Sequence, residues 1–187
     1  MKPWCSLLIH EHRLMEEMIG LMKEEVQCIG QTGGVDLAFI DAAVDYVGNY
    51  AGRLHHGKED ILFHELSRKK ISDEDFMMIS GLLEEHQAGG KIMEELLKAK
   101  DRYAKGDKSL LPAIIDGLNA FVTSYSQHIQ KEETVFFPRS ESYFDENELH
   151  TLSRKFLDFN EAMICRTLNP LNGKADSSGN MEKQSPH

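Results

Sequence analysis

The sequence predicts an all-α protein: an antiparallel up-down four-helix bundle followed by an additional C-terminal helix. Three observations predict it. Four long stretches carry apolar residues at steps of three and four, the spacing of one helix face. The pattern His-x-x-Lys-Glu-acid-x-x-Phe occurs twice, at 55–63 and 128–136, 73 residues apart, so the chain reads as two related helical hairpins. No stretch of useful length alternates apolar and polar residues as a strand would. With 187 residues the chain can bury one sizeable core. That domain is assigned to residues 1–168, and the Asn/Gly/Ser/Lys-rich remainder, 169–187, reads as a disordered tail.

Each element has its own signal. The first stripe is Leu8, His12, Met15, Ile19, Met22 and Val26, and Gly30-Gln31-Thr32-Gly33-Gly34 ends it. The second is Val44, Val47, Ala51, His55, Glu59, Leu62 and Leu66. Ser72-Asp73-Glu74-Asp75 has the form of an N-cap with an acid at N3, opening the third helix. Its stripe is Ile79, Leu82, His86, Gly89, Met93 and Leu96, and Lys105 to Ser109 ends it. Pro112 suits the first turn of the fourth helix. That stripe is Ile114, Leu118, Phe121, Tyr125, His128, Glu132 and Val135, and Pro138 is expected to bend or end it. Leu149, Leu152, Phe156, Phe159 and Met163 mark a fifth helix, a seam fit to cap the bundle or to join a partner or a second copy of the chain.

A net charge of −10 argues against nucleic acid and anionic membranes as partners. No apolar run approaches the roughly 20 residues of a membrane span, and the N-terminus lacks the apolar core of a secretory signal, so a cytoplasmic location is expected. The scattered Cys5, Cys28 and Cys165 form no CxxC and read as small packing residues rather than disulfides or thiolate ligands.

The His and Glu residues lie on the apolar stripes, where charge is costly unless paired or coordinated. A carboxylate four residues after a His occurs at His12/Glu16, His55/Glu59, His56/Asp60 and His128/Glu132. With 31 acids and nine His, chance supplies one or two such pairs, so the longer repeat on the core stripe is the stronger evidence. Residues i and i+4 stack on one helix face. A His there can bind one metal while the Glu one turn on bridges to a second. A second pair, Glu11-His12 and Glu85-His86, recurs 74 residues apart and adds a His on each remaining helix. Nitrogen and carboxylate donors with open positions suit iron better than structural zinc. The Glu-x-x-His motif of ferritin-like bundles is absent.

These motifs, one on each of the four helices, resemble the hemerythrin-like (HHE cation-binding) family over about residues 5–140. The resemblance implies a four-helix bundle holding an oxo- or hydroxo-bridged di-iron centre. It implies His12, His55, His86 and His128 as terminal iron ligands and Glu59 and Glu132 as bridges. The set is similar to that of iron–sulfur-centre repair proteins and of iron-sensing hemerythrin-like domains. Oxygen-carrying hemerythrins have a second His one turn after the third-helix His, and here Gly90 stands there, which puts simple oxygen carriage in doubt. Gly89-Gly90 fits either room for a small molecule beside the metals or close helix packing. A one-step rotation of helix 1 or 2 would bring in His10, or His56 with Asp60. Otherwise His10, His56, His64 and His150 are expected at the surface or outside the ligand set, Glu133 and Asp60 at the helix flank, and Lys58 and Lys131 as surface lysines; Glu16, one turn from His12, is either a solvated or salt-bridged acid or a holder of a water or an extra metal. Tyr125, one turn before His128, is a donor to a bound oxygen species or a core residue.

Three functions fit: binding or sensing of O2, NO or peroxide; redox or repair chemistry at the same centre; and iron or oxygen storage. The sequence assigns no catalytic residue.

Overall fold

A computed structural model describes residues 3–175, with side chains for 4–165. Every regular element among them is helical. The order is α1 (Pro3–Thr32), α2 (Leu37–Tyr46), a π-helical segment (Val47–His55), α3 (His56–Ser67), α4 (Asp73–Ala104), a 3-10 turn (Lys108–Leu110), α5 (Leu111–Lys131), a second π segment (Glu132–Phe136), α6 (Phe137–Glu141) and α7 (Glu146–Ala175). The residues joining α2, the first π segment and α3 keep helical backbone angles, so these three form one rod. The same holds for α5, the second π segment and α6. The described residues therefore form five helical rods. None of the described helices is long and apolar enough to cross a membrane.

The breaks are local chemistry. α1 stops before Gly33, whose φ of 70° favours glycine, and α4 stops before Gly106 at φ 107°. Ser72 Oγ accepts the Asp75 N–H at 3.2 Å, capping α4. Pro112 lies in the first turn of α5.

α5 packs on α1 and α4, α2 packs on α4, and α7 lies against α1 and α3. Two apolar clusters result. One gathers Met15, Ile19, Met22, Met93, Leu96, Leu118 and Phe121, and the other Trp4, Leu8, Leu62, Leu66, Leu82, Phe136 and Phe156. On each of the first four rods the His and Glu residues of the stripe fall between members of the two clusters. A polar layer thus crosses the protein between two apolar ones.

Two local readings change. Val135 is only half-buried, and Phe136 and Phe137 are buried instead. The reason is the second π segment, in which the Phe137 N–H bonds to the Glu132 carbonyl and adds a residue to the turn. Pro138 does not end the rod. It follows directly on the π turn, and the helix runs on to Glu141 before it stops. The α7 seam folds onto its own chain, burying Leu149, Leu152 and Phe156. α7 extends to Ala175, past the expected start of the tail; residues 176–187 lie outside the described residues.

α7 packs tightly on α3 at Gly57. A Cβ there would lie 2.4 Å from Phe159 Cζ. Gly57→Val should therefore lower stability by about 1–3 kcal/mol through over-packing, read as a lower thermal midpoint. Adding Phe159→Ala to that variant should recover part of the loss.

Candidate metal centre

Four rods deliver the polar layer. α1 brings His12, the second rod His55, His56 and Glu59, α4 His86, and the fourth rod His128 and Glu132. Glu59 spans two imidazoles: Oε1 is 3.3 Å from His55 Nε2, and Oε2 is 3.3 Å from His86 Nε2. Glu132 does the same, with Oε2 3.2 Å from His12 Nε2 and Oε1 3.4 Å from His128 Nε2. The four Nε2 atoms fall into two pairs, His12 with His55 at 3.0 Å and His86 with His128 at 3.2 Å. Each carboxylate turns one oxygen to each pair. The potential ligand atoms gather into two clusters, His12, His55, Glu59 and Glu132 in one and His56, Glu59, His86 and His128 in the other, with Glu59 common to both.

An outer ring of acids sets the imidazole tautomers. His55 Nδ1 lies 3.0 Å from Glu11 Oε2, His12 Nδ1 lies 2.9 Å from Glu133 Oε1, and His128 Nδ1 lies 2.9 Å from Glu85 Oε2. A carboxylate only accepts, so each Nδ1 carries the hydrogen and each neutral ring turns an Nε2 lone pair inward. Two lone pairs facing each other at 3.0 Å repel unless a cation lies between them. Lysines hold the outer acids in turn. Lys58 is fully buried and donates at 2.8 Å to Glu11 Oε1, to the Leu54 carbonyl and to Asn160 Oδ1, which uses all three of its hydrogens. Lys131 pairs with Glu85 in the other copy.

The electrostatics are those of a crowded buried site. Burial pushes His12 and His56 down to about 2 and His86 to about 4. Burial acts on His55 too, but Glu59 and Glu11 outweigh it and raise it to about 9. Burial would raise Glu59, yet the imidazoles around it hold it well below the usual carboxylate range. Burial and the neighbouring Glu59 push Glu132 well above that range. One proton on His55 can settle the contact with His12. It leaves both oxygens of Glu59 and of Glu132 buried without a hydrogen-bond donor. Buried charges need partners or a metal, and these four oxygens between four Nε2 atoms fit metal ions.

The other residues sort as follows. His10, His64, His150 and Asp60 are exposed. Glu16 pairs with Arg13. Cys5 is buried, with its thiol raised to about 11 by burial, a state without reactivity. The Tyr125 hydroxyl lies 3.1 Å from Met15 Sδ and 3.3 Å from His56 Nε2, and burial raises it well above its ordinary value. Gly89 and Gly90 do not serve close helix packing. A Cβ at Gly90 would meet nothing within 4 Å, and one at Gly89 only Phe121 at 3.8 Å.

Sequence reasoning placed three of the residues here elsewhere: His56, Glu133 and Lys58. His56 turns inward: its ring stacks on His86 with centroids 3.6 Å apart, and it can share a metal with Glu59, His86 and His128. The first π segment explains this. The His56 N–H bonds to the Ala51 carbonyl, and the wider turn lets His55 and His56 share a side. Glu133, expected on the flank, holds His12. Lys58, expected at the surface, is buried. Glu11 and Glu85 recur in sequence together with Lys58 and Lys131, and that shared repetition was the available signal.

Compared with known protein families, the chain matches the hemerythrin HHE cation binding domain over residues 6–140. The chain belongs to this family. No curated protein and no solved structure matched it. Membership makes this hemerythrin domain a cation binder, in agreement with its His/Glu clusters.

Substituting an outer acid tests the ring that orients the imidazoles. Glu11→Gln, Glu85→Gln and Glu133→Gln each keep all inner donors but exchange the acceptor at one Nδ1. Each should weaken metal binding by about 10–100-fold in a chelator-competition titration.

Proposed function

We propose that this hemerythrin domain is an antiparallel up-down four-helix bundle with a non-haem di-iron centre, oxo- or hydroxo-bridged, that binds O2 or a related small molecule (NO, peroxide) for sensing or for oxygen and iron handling. His12 and His55 serve one iron, His86 and His128 the other, and Glu59 and Glu132 bridge them. The observation that carries this reading is the way each buried carboxylate turns one oxygen to each pair of Nε2 atoms. A single ion would use one side of that arrangement and leave the other without a partner.

His56 joins the second half-site as a further nitrogen donor. It supports the imidazole that Gly90 fails to supply, but from the neighbouring rod. Iron bound there supplies redox chemistry and a coordination position for a small ligand. The chain's own residues do the rest. The outer carboxylates fix the imidazole rings, the two apolar clusters keep bulk water away, and the Tyr125 hydroxyl, 3.3 Å from His56 Nε2, is a hydrogen-bond donor beside the second half-site.

The test is anaerobic iron titration followed by exposure to air. The expected result is two irons per chain and a near-ultraviolet band of a bridged ferric pair. Glu59→Ala and Glu132→Ala should each abolish that band. His56→Ala should keep the first iron and weaken the second by about 10-fold or more. A stoichiometry of one, or no iron at all, would overturn the dinuclear reading.

A further inference from the structure

A cavity of about 390 Å³ opens beside the second half-site, between the second rod, α4 and α5. Val44, Val47, Met93 and Phe121 form its apolar walls, and His56, His86, His128 and Tyr125 close its inner end. Its breadth comes from glycines. Gly48, Gly52, Gly89 and Gly90 all line it, and a Cβ at Gly48 or Gly90 would have no neighbour within 4 Å.

Its size is far beyond a diatomic molecule. A cavity of about 150 Å³ suffices for benzene, and pockets for small organic ligands begin at roughly 300 Å³. The lining carries no Lys or Arg. Its two acids are already paired, Glu85 with Lys131 and Glu94 with Lys98. No lysine or arginine in the walls would neutralise a carboxylate, phosphate or sulfonate. Polar atoms that could meet a ligand's oxygen cluster at the inner end, at the Tyr125 hydroxyl and the imidazoles.

We infer that this cavity is a binding site for an uncharged, largely apolar organic molecule of about two-ring size, whose single hydroxyl or carbonyl oxygen points toward the second half-site. The apolar body of the ligand is held by the walls. Only the placement of its oxygen rests on the di-iron reading above. The site then handles or reports on an organic molecule as well as a small gas.

The probe is 2-naphthol, titrated calorimetrically into the iron-loaded full chain, with naphthalene-2-sulfonate as its anionic counterpart. Gly90→Phe fills the cavity from a position with free space around its Cβ. Iron stoichiometry and the thermal midpoint of that variant report whether the fold and the metals survive. The expected result is one saturable 2-naphthol site per chain, at least ten-fold weaker in Gly90→Phe at unchanged iron content, and at least ten-fold weaker for the sulfonate. Should Gly90→Phe lose its fold, Gly48→Leu blocks the opposite wall and is judged by the same criteria. Absence of saturable 2-naphthol binding to a chain holding two irons would overturn the cavity proposal alone. Equal binding by the filled variant would overturn it too, and equal affinity for the sulfonate would overturn the uncharged class. If the chain takes up no iron, the di-iron reading falls, while 2-naphthol binding blocked by Gly90→Phe would still support the cavity.

Discussion

Two carboxylates, Glu59 and Glu132, lie fully buried at the middle of an all-helical protein, and the rest of the structure is arranged around that burial. An isolated buried charge costs several kcal/mol even after the surroundings relax. Here the cost is met in layers. Imidazoles surround the carboxylates, outer acids hold the imidazoles, and Lys58, Lys131 and Arg13 hold the outer acids. Of these cations Lys58 is buried, while Lys131 and Arg13 reach solvent. Apolar packing is displaced above and below, into two clusters that must stabilise the fold without help from the polar layer between them.

The sequence displays much of this arrangement because helix stripes are local. Leu8, His12 and Met15 share a face whatever packs against them, and the doubled His-x-x-Lys-Glu pattern puts His55 with Glu59 and His128 with Glu132 one turn apart by helix geometry alone. What escapes such reading depends on register. His56 is adjacent to His55, and in an unbroken α-helix it would turn away; the added residue of the π turn keeps both on one side. Val135 and Phe136 exchange burial for the same reason. Lys58 and Glu133 escaped for a second reason: their roles are set by what another rod brings near them, Glu11 and Asn160 for the lysine, His12 for the acid. No spacing within a single segment encodes that.

The two copies have also diverged. Lys58 lies beneath α7 and is sealed there by Asn160 and the Phe159 ring, 5.8 Å from its ammonium, whereas Lys131 has no such cover and is only half-buried. Glu133 orients His12, while Asp60, which follows Glu59 as Glu133 follows Glu132, faces solvent. The cavity lies beside His86 and His128. The His12–His55 pair is thus packed and insulated, whereas His86 and His128 border the cavity, with Glu85 and Glu94 in its lining. Two ions held there would differ in access and in the dielectric around them.

Each π turn carries one residue more than an α-turn of the same rise. Val47–His55 is therefore the place where a single amino acid could be removed from the second rod without breaking its hydrogen-bonded ladder. The ladder would heal as ordinary α-helix, and Val44 and the residues before it would swing around the axis relative to His55.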